Sequence, residues 1–280
     1  MFNTDKRNEA LDNLRKACYE YNEERELIMY HTEELFKEKE ESRDLLKEIE
    51  KFINNLANTP KTLIDELAAI KNEYQTFDKE VQKFEIEAKK IDIGNNISAA
   101  AAAAGVGVAT MGPTAAIAIA TTFGTASTGT AIASLSGAAA TNAALAWLGG
   151  GALAAGGGGM AAGNALLAMA GPVGWFIAGG AFVTSAVILN SKNKDIAEQA
   201  CKQADEINSA LIEITKNSAE IKQLRRKIRD LYYRLKDELA DFLAKNIRDY
   251  CLLSEDDKLR LGAFVNFAKS LAGLLNKKVG

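Results

Sequence analysis

The sequence predicts an all-α fold in which long antiparallel coiled-coil arms flank an Ala/Gly-rich hydrophobic helical head. Two observations carry this prediction. Apolar residues recur three and four residues apart at both ends of the chain, which is the spacing of a helix seam. Between Ile93 and Ser191 there is no Asp, Glu, Lys or Arg, so all 71 charged residues lie in the other 181 positions. The chain therefore divides into segments 1–92, 93–191, 192–253 and 254–280.

The N-terminal arm, residues 1–92, is predicted to hold two helices with a break near Pro60, because proline cannot continue the hydrogen-bond ladder. Its first seam is apolar or Cys at ten of fourteen positions, and the polar members cluster between 25 and 42. These positions are Leu11, Leu14, Cys18, Tyr21, Arg25, Ile28, Thr32, Leu35, Lys39, Ser42, Leu46, Ile49, Ile53 and Leu56. The second seam is entirely apolar: Leu63, Leu67, Ile70, Tyr74, Phe77, Val81, Phe84, Ala88 and Ile91.

The C-terminal arm repeats the pattern. No Pro or Gly interrupts 192–253, which predicts a single long helix. Its seam contains Ala197, Ala200, Ala204, Ile207, Leu211, Ile214, Ser218, Ile221, Arg225, Ile228, Tyr232, Leu235, Leu239 and Phe242. Ser254 followed by Asp257 then predicts the start of a short amphipathic helix over 254–280. That helix would bury Leu261, Phe264, Phe267, Ala268, Leu271 and Leu275.

The charge and the cysteine content limit which binding partners and which cellular compartment are expected. Residues 1–92 have a net charge of −7 and residues 192–280 of +4, which favours contact between the arms. The whole chain has a net charge of −3, which argues against a nucleic-acid partner. Three widely spaced cysteines indicate reduced thiols, and the first residues lack the apolar region of a secretory signal. We therefore expect synthesis as a soluble cytoplasmic protein without a Sec signal, acting at the membrane of its own or a target cell.

The uncharged block, residues 93–191, is expected to contact a lipid bilayer. It contains 31 Ala and 19 Gly, the small residues through which membrane helices pack. The best spanning candidates are 114–136 and 172–190. Lysines flank both ends of the block, which places both arms on one side and requires two or four crossings. A soluble Ala-rich helical core and a low-complexity linker are the alternatives.

Three sets of residues within the block are assigned roles. Membrane contact is expected of Ile117, Ile119, Phe123, Ile132, Trp147, Trp175, Phe176, Phe182 and Val187. Gly159 and Gly163 form a G-x-x-x-G that is expected to pack helices. Hydroxyls at helical spacing suggest a pore lining of Thr121, Thr125, Thr128, Thr130 and Ser134. The alternative is that these hydroxyls bond their own backbone carbonyls.

No enzyme, cofactor or metal site is expected. The single histidine, His31, has no neighbouring ligand, and Gly105-Val-Gly107 lacks the third glycine of a dinucleotide loop. No general base lies within the block.

This layout of charged helical arms around a hydrophobic module resembles the α-helical pore-forming toxins of the cytolysin A type. The resemblance is architectural and rests on no short motif; pore-forming colicins and secretion translocators look similar. It implies a membrane-inserting, pore-forming or membrane-permeabilising toxin or effector, acting as a homo-oligomer or with a second helical subunit. A membrane-anchored coiled-coil scaffold and a non-conducting partner subunit of a multipart toxin are the alternatives.

Overall fold

A computed structural model describes residues 2–95, 120, 124–126, 130–135, 138–148 and 193–279. The described chain is mostly helical, as expected. Its helices are α1 (Phe2–Asn54), α2 (Lys61–Asn95), α3 (Ala138–Leu148), α4 (Asn193–Ala244) and α5 (Glu255–Leu275). Two short 3-10 turns cover Ile132–Ser134 and Tyr250–Leu252.

The chain forms two compact units. One, the bundle unit, comprises residues 34–85 and 221–277; the other, the mixed unit, comprises 1–33, 86–220 and 278–280. The mixed unit contains the whole uncharged block together with the charged beginnings of α1 and α4. Each unit has its own buried core.

The seams of α1 and α4 face the interior of these units. No seam position of either helix is exposed, and the described part of the α2 seam is likewise buried or half-buried. The hydrophobic period alone therefore identifies the inward face of all three helices. On α5, Leu261, Phe264, Ala268, Leu271 and Leu275 are buried as predicted, while Phe267 is half-buried.

Ion pairs and ring contacts fix the helix directions in the bundle unit. Arg43 of α1 pairs with Asp78 of α2, whereas Glu50, later in α1, pairs with Lys71, earlier in α2. Helices α1 and α2 are therefore antiparallel. Helices α4 and α5 are also antiparallel, since Glu238 pairs with Arg260 and Lys245 with Asp257.

Helices α1 and α4, in contrast, run parallel in this unit. Glu38 meets Arg225, and fourteen residues further along α1, Phe52 stacks on Phe242 with ring centroids 5.7 Å apart. The expectation that the two arms run antiparallel to each other is therefore wrong for α1 and α4 in this unit. The physical reason is that each arm is itself a helical hairpin, so each long helix already has its antiparallel partner.

The loops that close the two hairpins are joined at one end of the bundle unit. Ala57 N donates to Arg248 O at 2.7 Å, and Tyr250 N donates to Ala57 O at 2.9 Å. Asn58 Nδ2 also donates to the Asp249 carboxylate at 2.9 Å. These bonds hold the α1–α2 loop against the α4–α5 loop.

Helix α4 ends earlier than expected. It stops at Ala244 instead of 253, and Asn246 follows with a φ of 49°. Asparagine tolerates this left-handed conformation better than most residues and can end a helix without glycine. Ser254 then caps α5 by accepting from Asp257 N at 3.1 Å.

The polar positions of the α1 seam, Arg25, Thr32, Lys39 and Ser42, are all buried. Thr32 Oγ1 and Ser42 Oγ donate to carbonyls one turn earlier, at 2.6 and 2.7 Å. Lys39 in the bundle unit is fully buried, and its Nζ donates to Lys277 O at 3.1 Å. An ammonium beside a carbonyl just past the end of α5 is a favourable electrostatic arrangement.

Small residues dominate the contact between α1 and α4 in the mixed unit. The buried cluster contains Ala10, Leu14, Ala17, Ala200, Ala204 and Ile207. Alanines at four of six positions bring the two backbones close together. Beside this cluster, burial raises the pKa of Tyr21 to about 12, and Arg25 opposes that rise.

Candidate functional site

The described part of the uncharged block centres on a turn at Gly124. Gly124 N donates to Ala120 O at 2.8 Å, which completes a helical turn. The chain then folds back, since Thr125 pairs antiparallel with Ala131 and Ile132 N donates to Gly124 O at 3.0 Å. The 3-10 turn at 132–134 follows directly.

This turn corrects the expectation of a spanning helix over 114–136. Between 124 and 135 the described residues form a bridge, a reversal and a 3-10 turn, not a continuous helix. β-branched threonines at 125 and 130 favour extended backbone, and Gly124 permits close approach. Hydropathy alone could not distinguish this reversal from a helix.

Gly124 is required because three groups converge on its α-carbon. A Cβ at this position would lie 2.5 Å from Ala120 O, 3.0 Å from Ile132 Cδ1 and 3.2 Å from Trp147 Cδ2. The first contact is with backbone, which cannot move away as a flexible side chain can. We call Ala120, Gly124, Ile132 and Trp147 the Gly124 cluster.

Helix α3 supplies the tryptophan. Ala140, Ala144 and Trp147 recur four and three residues apart and are all buried, so they occupy one face of the helix. Helix α3 packs against the 3-10 turn that carries Ile132. Two of the residues expected to contact a membrane, Ile132 and Trp147, are therefore adjacent and enclosed within the mixed unit.

The indole of Trp147 is buried. The residue is 5% exposed, and no acceptor among the described residues lies within hydrogen-bonding distance of its Nε1. Buried tryptophans usually have a partner for this group, and leaving a buried donor unsatisfied costs about 1–3 kcal/mol. The described residues of the cluster therefore pack against the indole ring but provide no acceptor for its N–H.

The segment after α5 forms a backbone bridge with the Gly124 turn. Val279 pairs with Gly124 in an isolated parallel bridge, and its side chain is 4% exposed. Both residues belong to the mixed unit. No sequence pattern links them, since they are separated by 155 positions.

The hydroxyls assigned to a pore lining do not share a helical face where the structure describes them. Thr125 lies in the bridge and is half-buried, whereas Thr130 and Ser134 are exposed. Ser134 Oγ donates to Ala131 O at 2.7 Å, which is the local backbone bond given above as the alternative. Thr125 and Thr130 lie outside helices and Ser134 lies in a 3-10 turn, so the helical grouping of these hydroxyls is not found in this structure, and their role in a pore lining stays a prediction.

The other residues assigned to the block lie outside the described part of the chain. They are Ile117, Ile119, Phe123, Trp175, Phe176, Phe182 and Val187; Gly159 and Gly163; and Thr121 and Thr128.

Sequence reasoning did not identify Gly124, Ala120, Ala144 or Val279 as members of the site. The spacing of Ala140, Ala144 and Trp147 could have identified the buried face of α3. Nothing local could have identified Val279.

Electrostatic contacts concentrate in the bundle unit. Arg225 Nη2 lies 2.7 Å from Glu38 Oε1 and 3.3 Å from Glu34 Oε2. Two further ion pairs in this unit join Arg229 to Glu38 and Lys269 to Glu66. In each pair the acid belongs to the N-terminal arm and the base to the C-terminal arm. This agrees with the opposite net charges of the two arms.

The uncharged block has no group for acid–base chemistry. Residues 93–191 contain no Asp, Glu, Lys, Arg, His, Cys or Tyr. In the described parts of the chain, no group of three His, Cys, Asp or Glu side chains is placed to hold a metal ion. Among the described helices, none combines the length and apolar character needed to cross a membrane.

Comparisons of the chain with known protein families, with curated proteins and with solved structures found no match.

Proposed function

We propose that this protein acts on a lipid bilayer through its uncharged block and permeabilises the membrane as a helical oligomer. One observation carries the proposal: 99 consecutive residues without a titratable side chain. At the average charged fraction of the chain, 25%, a segment of that length would hold about 25 charged residues. Each charge at the centre of a bilayer costs roughly 2.5–3.5 kcal/mol, so their absence suits contact with lipid.

The Gly124 cluster supports the proposal. Ile132 and Trp147 are enclosed in the mixed unit, and the indole N–H has no acceptor among the described residues. At a membrane surface, tryptophan keeps its ring in apolar surroundings while its N–H reaches water or a headgroup. Transfer to the interface would therefore give this N–H an acceptor that the described residues do not provide.

The bundle unit fits the role of a carrier that stays in water. Its outer surface bears the charges of both arms, and its ion pairs join those arms. In this proposal the protein is not an enzyme, and its activity would consist of inserting the uncharged block into the membrane and assembling into an oligomer. The architectural resemblance to cytolysin A toxins supports oligomers of one chain, or assembly with a second helical subunit.

Release of a trapped dye from liposomes tests this function. We expect the purified chain to release the dye and Ala144→Asp to reduce release about tenfold or more, because a carboxylate in lipid is costly. Ala144 is fully buried on α3. The matched control is Ala240→Asp on the exposed face of α4, which should release dye like the parent.

Vesicle flotation separates the alternatives. A chain that floats with liposomes without releasing dye would be an anchored scaffold or a non-conducting subunit. A chain that neither floats nor releases dye has no membrane role of its own, and the proposal would then be wrong.

A further inference from the structure

The segment after α5 meets the Gly124 turn through a backbone bridge between Val279 and Gly124. The bridge is isolated, so no neighbouring strand pair must break when it opens. Only residues 278–280 of this segment belong to the mixed unit. A contact of this kind can separate without unfolding either partner.

Three other groups pack against Gly124. Trp147 from α3, Ile132 from the 3-10 turn and the Ala120 carbonyl meet the position where a Cβ would stand. Val279 pairs with the backbone of Gly124, and its own side chain is buried. The segment after α5 therefore pairs with the same glycine against which Ile132 and Trp147 pack.

We propose that residues 278–279 form a strap that keeps the Gly124 turn closed, and that release of the strap exposes Ile132 and Trp147 to the bilayer. The second half of this statement rests on the proposed function of the block. The first half concerns the folded chain alone and is testable without lipid.

Trp147 is the reporter for the strap. The chain has two tryptophans, so Trp175→Phe leaves Trp147 as the single indole. In that background, Val279→Asp places a carboxylate at a buried apolar position, which strongly favours release. We expect the quenching constant for acrylamide to rise about two- to threefold, because an opened turn admits a polar quencher.

Gly273→Asp is the matched control. A Cβ at Gly273 meets nothing within 4 Å, so the same carboxylate stands in open space on α5. Its quenching constant should equal that of the parent. Val279→Ala removes packing without adding charge and should give a smaller increase than Val279→Asp. Far-UV circular dichroism should remain strongly helical for all three variants.

The outcomes separate the strap from the membrane role. Increased quenching for both Val279 variants, with a lower protein concentration for half-maximal dye release, supports both parts. Increased quenching in a chain that never releases dye keeps the strap and overturns the membrane role. Unchanged quenching in Val279→Asp and Val279→Ala overturns the strap, whatever the dye release.

Discussion

The bundle unit and the Gly124 turn are held together by different kinds of contact. In the bundle unit, large side chains such as Leu46, Phe77 and Phe264 are buried, and charged pairs join the arms. At the Gly124 turn, the backbone itself makes the closest approach. Packing of large side chains requires apolar residues at a regular spacing, which is visible in the sequence. Close approach of the backbone requires only a residue without a Cβ, which leaves no periodic pattern. The comparison shows why one region is readable from the sequence and the other is not.

Removing a large core ring should give the largest effect on the bundle unit. Phe77 is fully buried, with its ring centroid 6.4 Å from that of Phe36. Phe77→Ala should lower the free energy of unfolding by about 3–5 kcal/mol, since it deletes the ring and leaves a cavity. Urea unfolding followed by circular dichroism measures the loss.

The matched control for this ring is Tyr233→Ala, whose side chain is 55% exposed. It should change the free energy by less than about 0.5 kcal/mol. Without denaturant, Phe77→Ala should leave tryptophan emission unchanged, because both tryptophans lie in the uncharged block. A shifted emission spectrum would show that the two regions are not independent.

Breaking the link between the arms should have the next largest effect. Arg225→Ala leaves the carboxylates of Glu34 and Glu38, both partly buried, without their main counter-charge. The expected loss is about 2 kcal/mol, between the values for exposed and for fully buried pairs. The neighbouring Arg226 is exposed, and Arg226→Ala should cost little. Equal losses for the two variants, again by urea unfolding, would refute an electrostatic link.

A pair of glycine substitutions contrasts the two kinds of packing directly. Gly124→Ala should destabilise the turn by about 1–3 kcal/mol, because its Cβ would meet a backbone oxygen. Gly273→Ala has open space on a helix and should stabilise the chain by up to about 1 kcal/mol. Thermal unfolding monitored by tryptophan emission for the first, and by circular dichroism for the second, gives the signs. The same sign for both would mean that close packing at Gly124 is absent.

Much of the bundle unit follows from the sequence. The period of apolar residues identifies the buried faces, Pro60 lies in the interruption between α1 and α2, and Ser254 begins α5. The opposite charges of the arms anticipate the acid–base order of the pairs between them. The parallel course of α1 and α4 does not follow, because a heptad pattern is the same in either direction.

The candidate site follows from the sequence only in part. Its location in the uncharged block follows from composition. Ile132 and Trp147 are assigned to membrane contact, which stays a prediction, whereas the structure buries both. The turn at Gly124 and its pairing with Val279 depend on contacts between residues that are distant in sequence. The early end of α4 was missed for a simpler reason, since Asn246 serves where glycine is the usual signal.

The smallest expected effect concerns pH in the bundle unit. Burial raises the pKa of Glu50, but hydrogen bonds from Lys71 and Tyr74 outweigh this and hold the pKa below its ordinary value of 4.5. A lowered pKa stabilises the fold above the unfolded value, and this contribution is lost as pH falls through the folded pKa. Glu50→Gln should therefore lose less stability than the parent on acidification below 4.5.

Urea midpoints across that range check the pH prediction. Glu48→Gln is the control, because Glu48 is exposed on the same helix, and it should keep the parent slope. Burial, together with the bond to Glu50, raises the pKa of Tyr74, so a second loss of stability is expected in strong alkali. Identical acid slopes for the parent and Glu50→Gln would contradict the assignment.

Quenching of tryptophan by brominated lipid chains tests the central claim most directly, namely that the uncharged block, and not the bundle unit, enters the bilayer. Trp147 in a Trp175→Phe chain should be quenched on incubation with such vesicles. A tryptophan placed in the bundle unit by Tyr233→Trp, with Trp147 and Trp175 both changed to Phe, should not be quenched. Quenching of the bundle tryptophan alone, or of neither, would contradict the account.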